Sequence, residues 1–423
     1  MSDYRQMWKE LGVNLELHDQ LLELLGNSFR QTVGAQSGRP AAMSHFDQMF
    51  HQSHGGRVKE LLDNKNAGNK NIGTFCIYVP DEIAMSADAI PIPLCGGTNF
   101  AVPYAEQSFP RDICPLIKST LGLSFSATCP YKAVKQLTVG ETTCDAKKKT
   151  WDILAGKMNF HVMEVPQKKQ ALDKQLWYDA VVEFKDKVED LTGKKVEAGK
   201  LSRQIKIMND KRKALQKLSD YRKFTPPPIS GLDALLVMQM ALNADPVHFT
   251  EMLNLLLQEL EGRVKAGFSP VDKKAKRIMV AGCPAVMGNW KVHSLIEQSG
   301  GVVAADETCT GSKYYDNLVA ETPEDLDLQL KALAERYFAI NCSCFSPNNE
   351  RMADILKKAE EFKIVGVVQY VLQTCHTYNI EAMRVEGALK AKGIPSIKIL
   401  TDYSEEDAGQ LRTRIEAFME TLS

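Results

Sequence analysis

The sequence predicts an α/β protein built from two similar doubly wound parallel-sheet lobes of flavodoxin- or Rossmann-like type, with an N-terminal helical segment and a helical insertion between the lobes. Three observations carry this. Short apolar runs alternate with helical stretches over 71–166 and again over 271–423, which is the pattern of βαβ units. The two stretches repeat one motif: a strand into Thr143-Cys144, a helix and a strand, then a strand into Thr374-Cys375, a helix and a strand. Residues 167–270 hold long, charged, helix-forming runs with no strand pattern.

In chain order, residues 1–70 read as helical, from the apolar spacing in LELHDQLLELL and around GGRVKELLDN. A strand over 73–79 ends at Pro80 and places Cys76 in mid-strand, as a core residue. The helix DEIAMSADA leads to a strand over 90–94, closed by Cys95 and Gly96-Gly97. A strand over 137–140 runs into Thr142-Thr143-Cys144, a helix covers 145–155, and a strand covers 160–165. Residues 166–224 are rich in Lys and Glu and form long helices. Pro226-Pro227-Pro228 breaks them before a helical stretch over 231–265. Strands over 277–281 and 301–305 then meet Cys283 and Cys309. Helices near 323–336 and 350–362 flank Cys342-Ser343-Cys344. A strand over 364–372 meets Cys375, and a last strand over 396–400 precedes the final helix.

Composition bounds the function. The chain has 423 residues, 44% hydrophobic and 25% charged, room for two or three domains. A formal charge of −1 argues against nucleic acid as a partner. There is no run of apolar residues long enough for a membrane span. The polar start MSDYRQMWKELGVNLELHDQ lacks the apolar centre of a secretory signal, so a cytoplasmic location with reduced thiols is expected.

That setting gives the ten cysteines their interest. A disulfide framework is not expected in a long chain in a reducing compartment. Scattered small core residues are the plain alternative. Yet Cys95, Cys144, Cys283, Cys309 and Cys375 all fall just past a predicted strand, where open α/β sheets bind ligands. Cys114 sits in FPRDICPLIKSTLG at an expected helix N-terminus, which favours thiolate. Thiolates select zinc, copper(I) or iron–sulfur clusters. Paired zinc knuckles and the closely spaced ferredoxin run are both absent from the sequence. Single cysteines, one per strand end, suit a cluster held between lobes.

The stretches FPRDICPLIKSTLG, LTVGETTCDAKKKTWDIL, HVMEVPQ, GCPAVMGNWKVHSLIE, DETCTGSKYYDN and VLQTCHTYNIEAMRVEGALKAKGIP resemble the 2-hydroxyacyl-CoA dehydratase and benzoyl-CoA reductase superfamily. CPLIKS, GETTCDAKKK, NCSCFSPN and TDYSEEDAGQLRTRIEAF are most similar to its double-cubane cluster proteins. The resemblance runs from about residue 72 to the end. It implies one 4Fe–4S unit on Cys114, Cys144 and Cys375. In the double-cubane branch it implies a second trio, giving an 8Fe–9S centre, for which Cys129, Cys309 and Cys344 are the choice here. Cys342 is the alternative to Cys344, and Cys95 and Cys283 are reserves. It also implies a partner, a homodimeric 4Fe–4S ATPase that donates electrons, a homodimer of this chain, and a small unsaturated substrate.

The resemblance therefore implies an ATP-coupled reductase component. The alternatives are a single-cluster acyl-CoA dehydratase or reductase subunit and a non-catalytic electron carrier. The chain itself has no nucleotide motif. Gly193-Lys-Lys-Val-Glu-Ala-Gly199-Lys200-Leu201 has the wrong spacing for a P-loop and Leu201 where magnesium needs a hydroxyl. His376 and Glu141 are the candidate proton donors, against packed or hydrogen-bonded structural roles. Lys147-Lys148-Lys149, Arg111 and the basic run through Lys194, Lys195, Lys200, Arg203, Lys206, Lys211, Arg212 and Lys213 read first as solvated faces.

Overall fold

The computed structural model describes residues 4–422. The first three residues of the N-terminal segment and Ser423 lie outside them. Two four-stranded parallel sheets form the lobes. The first contains β1 (Asn71–Thr74), β2 (Ile90–Pro93), β3 (Leu137–Glu141) and β4 (Phe160–Met163), in the order β2-β1-β3-β4. The second contains β5 (Lys276–Gly282), β6 (Gly301–Glu307), β7 (Gly366–Leu372) and β8 (Ser396–Thr401), in the order β6-β5-β7-β8. The orders correspond strand for strand, so the likeness between the lobes is one of topology. In each, the order reverses between the first and third strands. Such a switch point opens a crevice beyond the carboxyl ends of the strands.

In the second lobe β5, β6 and β7 are buried on both faces, as parallel strands inside a covered sheet require, while the edge strand β8 exposes Lys398 and Leu400. The long helices Ala171–Thr192 and Ala198–Tyr221 occupy the predicted insertion. The basic run on them is not a solvated face throughout. Arg212 and Glu82 pair at 2.7 Å with both side chains fully buried, and Lys211 is buried too. Helical periodicity turned these two cations inward, which residue type alone did not disclose.

The expected helix over 231–265 is two helices, Gly231–Asn243 and Pro246–Lys265. Pro246 prevents continuation, and Asp245 caps the second by accepting from the N–H groups of Val247 and His248. Gly231–Asn243 is buried almost all round, as its sequence GLDALLVMQMALN demands. It packs against β2 of the first lobe and β6 of the second. Gln239 donates to the carbonyls of Ala285 and Val286 and accepts from the Trp290 indole. Each of its buried leucines contributes about 1.5–3 kcal/mol of burial free energy.

Candidate metal centre

Three thiols share one local design. Cys114, Cys144 and Cys375 are the N-cap residues of Pro115–Phe125, Asp145–Ala155 and His376–Lys390. Free N–H groups at each helix start face the sulfur: those of Leu116 and Ile117 for Cys114, Lys147 for Cys144, and Tyr378 for Cys375. Burial still pushes the Cys114 thiol up to about 12, with Cys375 and Cys144 nearby adding to it. The helix terminus favours thiolate, as the sequence suggested, but desolvation outweighs it in the free thiol. Donation from the Cys283 thiol eases Cys375 down to about 7.

The strand ends gather further thiols. Cys283 follows β5, its backbone N–H bonded to the Tyr370 carbonyl at 2.9 Å. Gly282 before it has φ +133°, and a Cβ there would meet that carbonyl at 2.2 Å, so only glycine allows this approach. Cys283, Cys375, Cys114 and Cys144 form a first group. A second joins Cys76, in thiol contact with Cys309, to the contacting pair Cys342 and Cys344. Tyr78, wholly buried, lies within electrostatic reach of all four and donates to the Ile340 carbonyl at 2.9 Å. Cys95 falls within electrostatic reach of Cys309 and accepts the Cys76 N–H. Both groups mix the two lobes.

Cys76 corrects the sequence reading. The strand was expected to continue through it, but β1 ends at Thr74. Cys76 lies past the carboxyl end with φ 60°, a left-handed backbone unusual for a residue with a side chain. Thr374, which precedes Cys375, shares that conformation. Such strain, of order 1–3 kcal/mol, persists where surrounding structure enforces it. The continuous apolar run GTFCIYVP concealed the strand end.

Two lysines with largely buried side chains lie within electrostatic reach of the thiols. Lys147 pairs with Glu141, the last residue of β3, whose Oε1 also accepts from Thr143 Oγ1 at 2.8 Å. Burial opposes the charge on Lys147, but Cys76, Glu141, Cys95 and Cys144 hold its ammonium well above the ordinary range. The solvated face expected for Lys147-Lys148-Lys149 is thus found at Lys148 and Lys149 alone. Lys313 pairs with Glu307, the last residue of β6, at 2.8 Å and donates to the Tyr378 hydroxyl at 2.9 Å. Glu307 also pairs with Arg351, which reaches Glu381 at 2.6 Å.

Of the six thiols chosen from sequence, Cys114, Cys144 and Cys375 come together, and Cys309 and Cys344 join Cys76 and Cys342. Cys129 stands apart, packed with Val58, Leu61, Ile92, Tyr131 and Val134 and raised by burial. A cavity of about 90 Å³ that also touches Cys95 lies beside it. Glu141 is inside the site, and its Oε2 has no hydrogen-bond partner among the described residues. His376 is exposed on the rim, and Arg111 is exposed with Glu106 3.6 Å away. All ten cysteines are free, and among the described residues no three His, Cys, Asp or Glu side chains are placed to hold one metal ion.

A family profile described as 2-hydroxyglutaryl-CoA dehydratase, D-component, matches residues 76–422. An Escherichia coli (strain K12) protein named as a dehydratase subunit, YjiM, is 36% identical over 89% of this chain and 97% of its own length. The (R)-phenyllactyl-CoA dehydratase beta subunit of Clostridium sporogenes is 23% identical over 90% of this chain and 100% of its own. The (R)-2-hydroxyglutaryl-CoA dehydratase subunit beta of Acidaminococcus fermentans is 24% identical over 86% and 95%.

Proposed function

The chain belongs to the 2-hydroxyglutaryl-CoA dehydratase D-component family, and from that premise we propose that it is the cluster-bearing component of an ATP-coupled low-potential reductase. The observation that carries this is the gathering of nine of the ten thiols where the strand ends of both lobes meet. The donor set suits an iron–sulfur group: it is all sulfur, it includes three thiols at helix N-termini, and it falls into two groups that each draw on both lobes.

In this reading Cys114, Cys144 and Cys375 hold one cubane. Three of Cys76, Cys309, Cys342 and Cys344 hold a second, so that Cys76 replaces Cys129 in the trio first chosen. When bound, the cluster supplies electrons at low potential. The chain's own part is to seat the sulfurs, donate N–H groups to them and exclude water, which together tune that potential. Glu141 is the better-placed proton carrier, since its Oε2 is buried without a partner among the described residues and its carboxylate is within electrostatic reach of Cys76, Cys95 and Cys144, while His376 is exposed. A separate homodimeric 4Fe–4S ATPase supplies the electrons, the chain pairs with a second copy, and a small unsaturated molecule is reduced.

A second reading is a single-cluster acyl-CoA dehydratase subunit working beside a non-identical subunit. It is favoured by the names of the relatives, two of them beta subunits. Iron and acid-labile sulfide analysis of anaerobically purified protein, with EPR after reduction, separates the two. About eight irons per chain are expected for a double cubane and about four for a single cubane. A protein that binds no iron under these conditions refutes both.

A further inference from the structure

A short pattern occurs twice around the thiols. Glu141 ends β3, Cys144 follows, and Lys147 stands six positions after the glutamate. Glu307 ends β6, Cys309 follows, and Lys313 again stands six positions after. In both cases the glutamate is buried and pairs with the lysine, whose own side chain is 12% exposed for Lys147 and 4% for Lys313. The two copies lie on different lobes and different strands of the topology, yet both ammonium groups lie within electrostatic reach of thiols. Lys147 is drawn by Cys76, Cys95 and Cys144, and Lys313 acts on Cys309 and Cys342.

We propose that Lys147 and Lys313 are fixed cations that set the reduction potential of the metal centre, each anchored by its strand-end glutamate and presenting unused N–H groups to cluster sulfur. The inference rests on the cluster reading above. An ammonium carries three donors. Glu141 takes one from Lys147, and Glu307 and Tyr378 take two from Lys313, so donors remain on both. A thiolate-held cluster is anionic and gains negative charge on reduction. A nearby cation therefore stabilises the reduced form more than the oxidised one, and a low-dielectric surrounding strengthens the effect. Removing it makes reduction harder. These are positioning residues, and their signature is a potential, not a turnover number.

The test is EPR-monitored redox titration of anaerobic holoprotein carrying Lys147→Met, Lys313→Met, or Lys148→Met as the exposed control. Each buried substitution is expected to disfavour reduction at least tenfold, a downward shift of about 59 mV for a one-electron couple. Lys148→Met should match wild type. Iron-loaded Lys147→Met and Lys313→Met with the potential of the control overturn the proposal. If a methionine variant fails to load iron, the charge-keeping Lys147→Arg or Lys313→Arg decides: restored iron supports the cation role, and equal loss overturns it. Wild-type protein without iron instead refutes the cluster reading itself.

Discussion

The two thiol groups are held by different forces. Cys114, Cys144 and Cys375 draw on backbone, each capping a helix whose first N–H groups point at its sulfur. Cys76, Cys309, Cys342 and Cys344 have no comparable set of helix starts. Their surroundings are charged side chains, Lys313 locked to Glu307, Glu307 to Arg351 and Arg351 to Glu381, all buried. Backbone donors survive every substitution except proline and do not titrate. An ion-pair network can be broken at any member, and a buried charge left unpaired is costly. The first group should therefore tolerate changes around it that disable the second.

The largest effects follow from removing ligands. Cys375→Ala should abolish the cubane of the first group and Cys76→Ala that of the second, each read as lost iron and a changed EPR signal. Cys129→Ala should keep full iron, because its neighbours are apolar side chains and not thiols. A Cys129→Ala protein that loses iron, beside a Cys76→Ala protein that keeps it, would restore the trio first chosen from sequence.

Next is Arg351→Met, which leaves Glu307 with only Lys313 and strips Glu381 of its cation. Breaking a buried pair in this way costs about 3–5 kcal/mol, measurable by urea unfolding of the apoprotein. The iron lost should come from the second group. Loss confined to the first would mean that the network serves the N-capping thiols instead.

This division also explains what the sequence disclosed. A cysteine two or three residues past a strand and directly before a helix is a local pattern, so Cys144 and Cys375 were legible, and Cys114 before Pro115 likewise. The second group assembles from residues as distant as Cys76 and Cys344, and one of them was hidden where an apolar run outlasts its strand. Helical spacing alone does not say which face of 145–155 turns inward. The spacing of Glu141 to Lys147, matched by Glu307 to Lys313, was a signal in plain view. It becomes meaningful only once both glutamates are seen to end strands. The paired lobes were readable because each strand, turn and helix is short and local. The buried Arg212–Glu82 pair was not, because it joins elements 130 positions apart, from 82 to 212.

The smallest effect sharpens the contrast through pH. Burial alone would raise the Glu307 carboxyl, but Arg351 and Lys313 hold it below the usual carboxylate range. A carboxylate more acidic in the folded chain contributes stability that is complete above its unfolded value of about 4.3. The contribution is lost as pH falls through the lower folded value, because the unfolded chain takes up protons first. Apoprotein stability should thus decline as pH drops below about 4. Glu307→Gln should start from a lower plateau and decline less steeply, since the titrating group is gone. The helix N-caps of the first group contribute nothing to this slope, as peptide N–H groups do not ionise. Identical acid slopes in wild type and Glu307→Gln would shift the acid sensitivity to the other depressed carboxylates, Asp306 with Arg222 and His293, or Glu82 with Arg212. The network around the second group would then be a scaffold whose charge state stays fixed across that range.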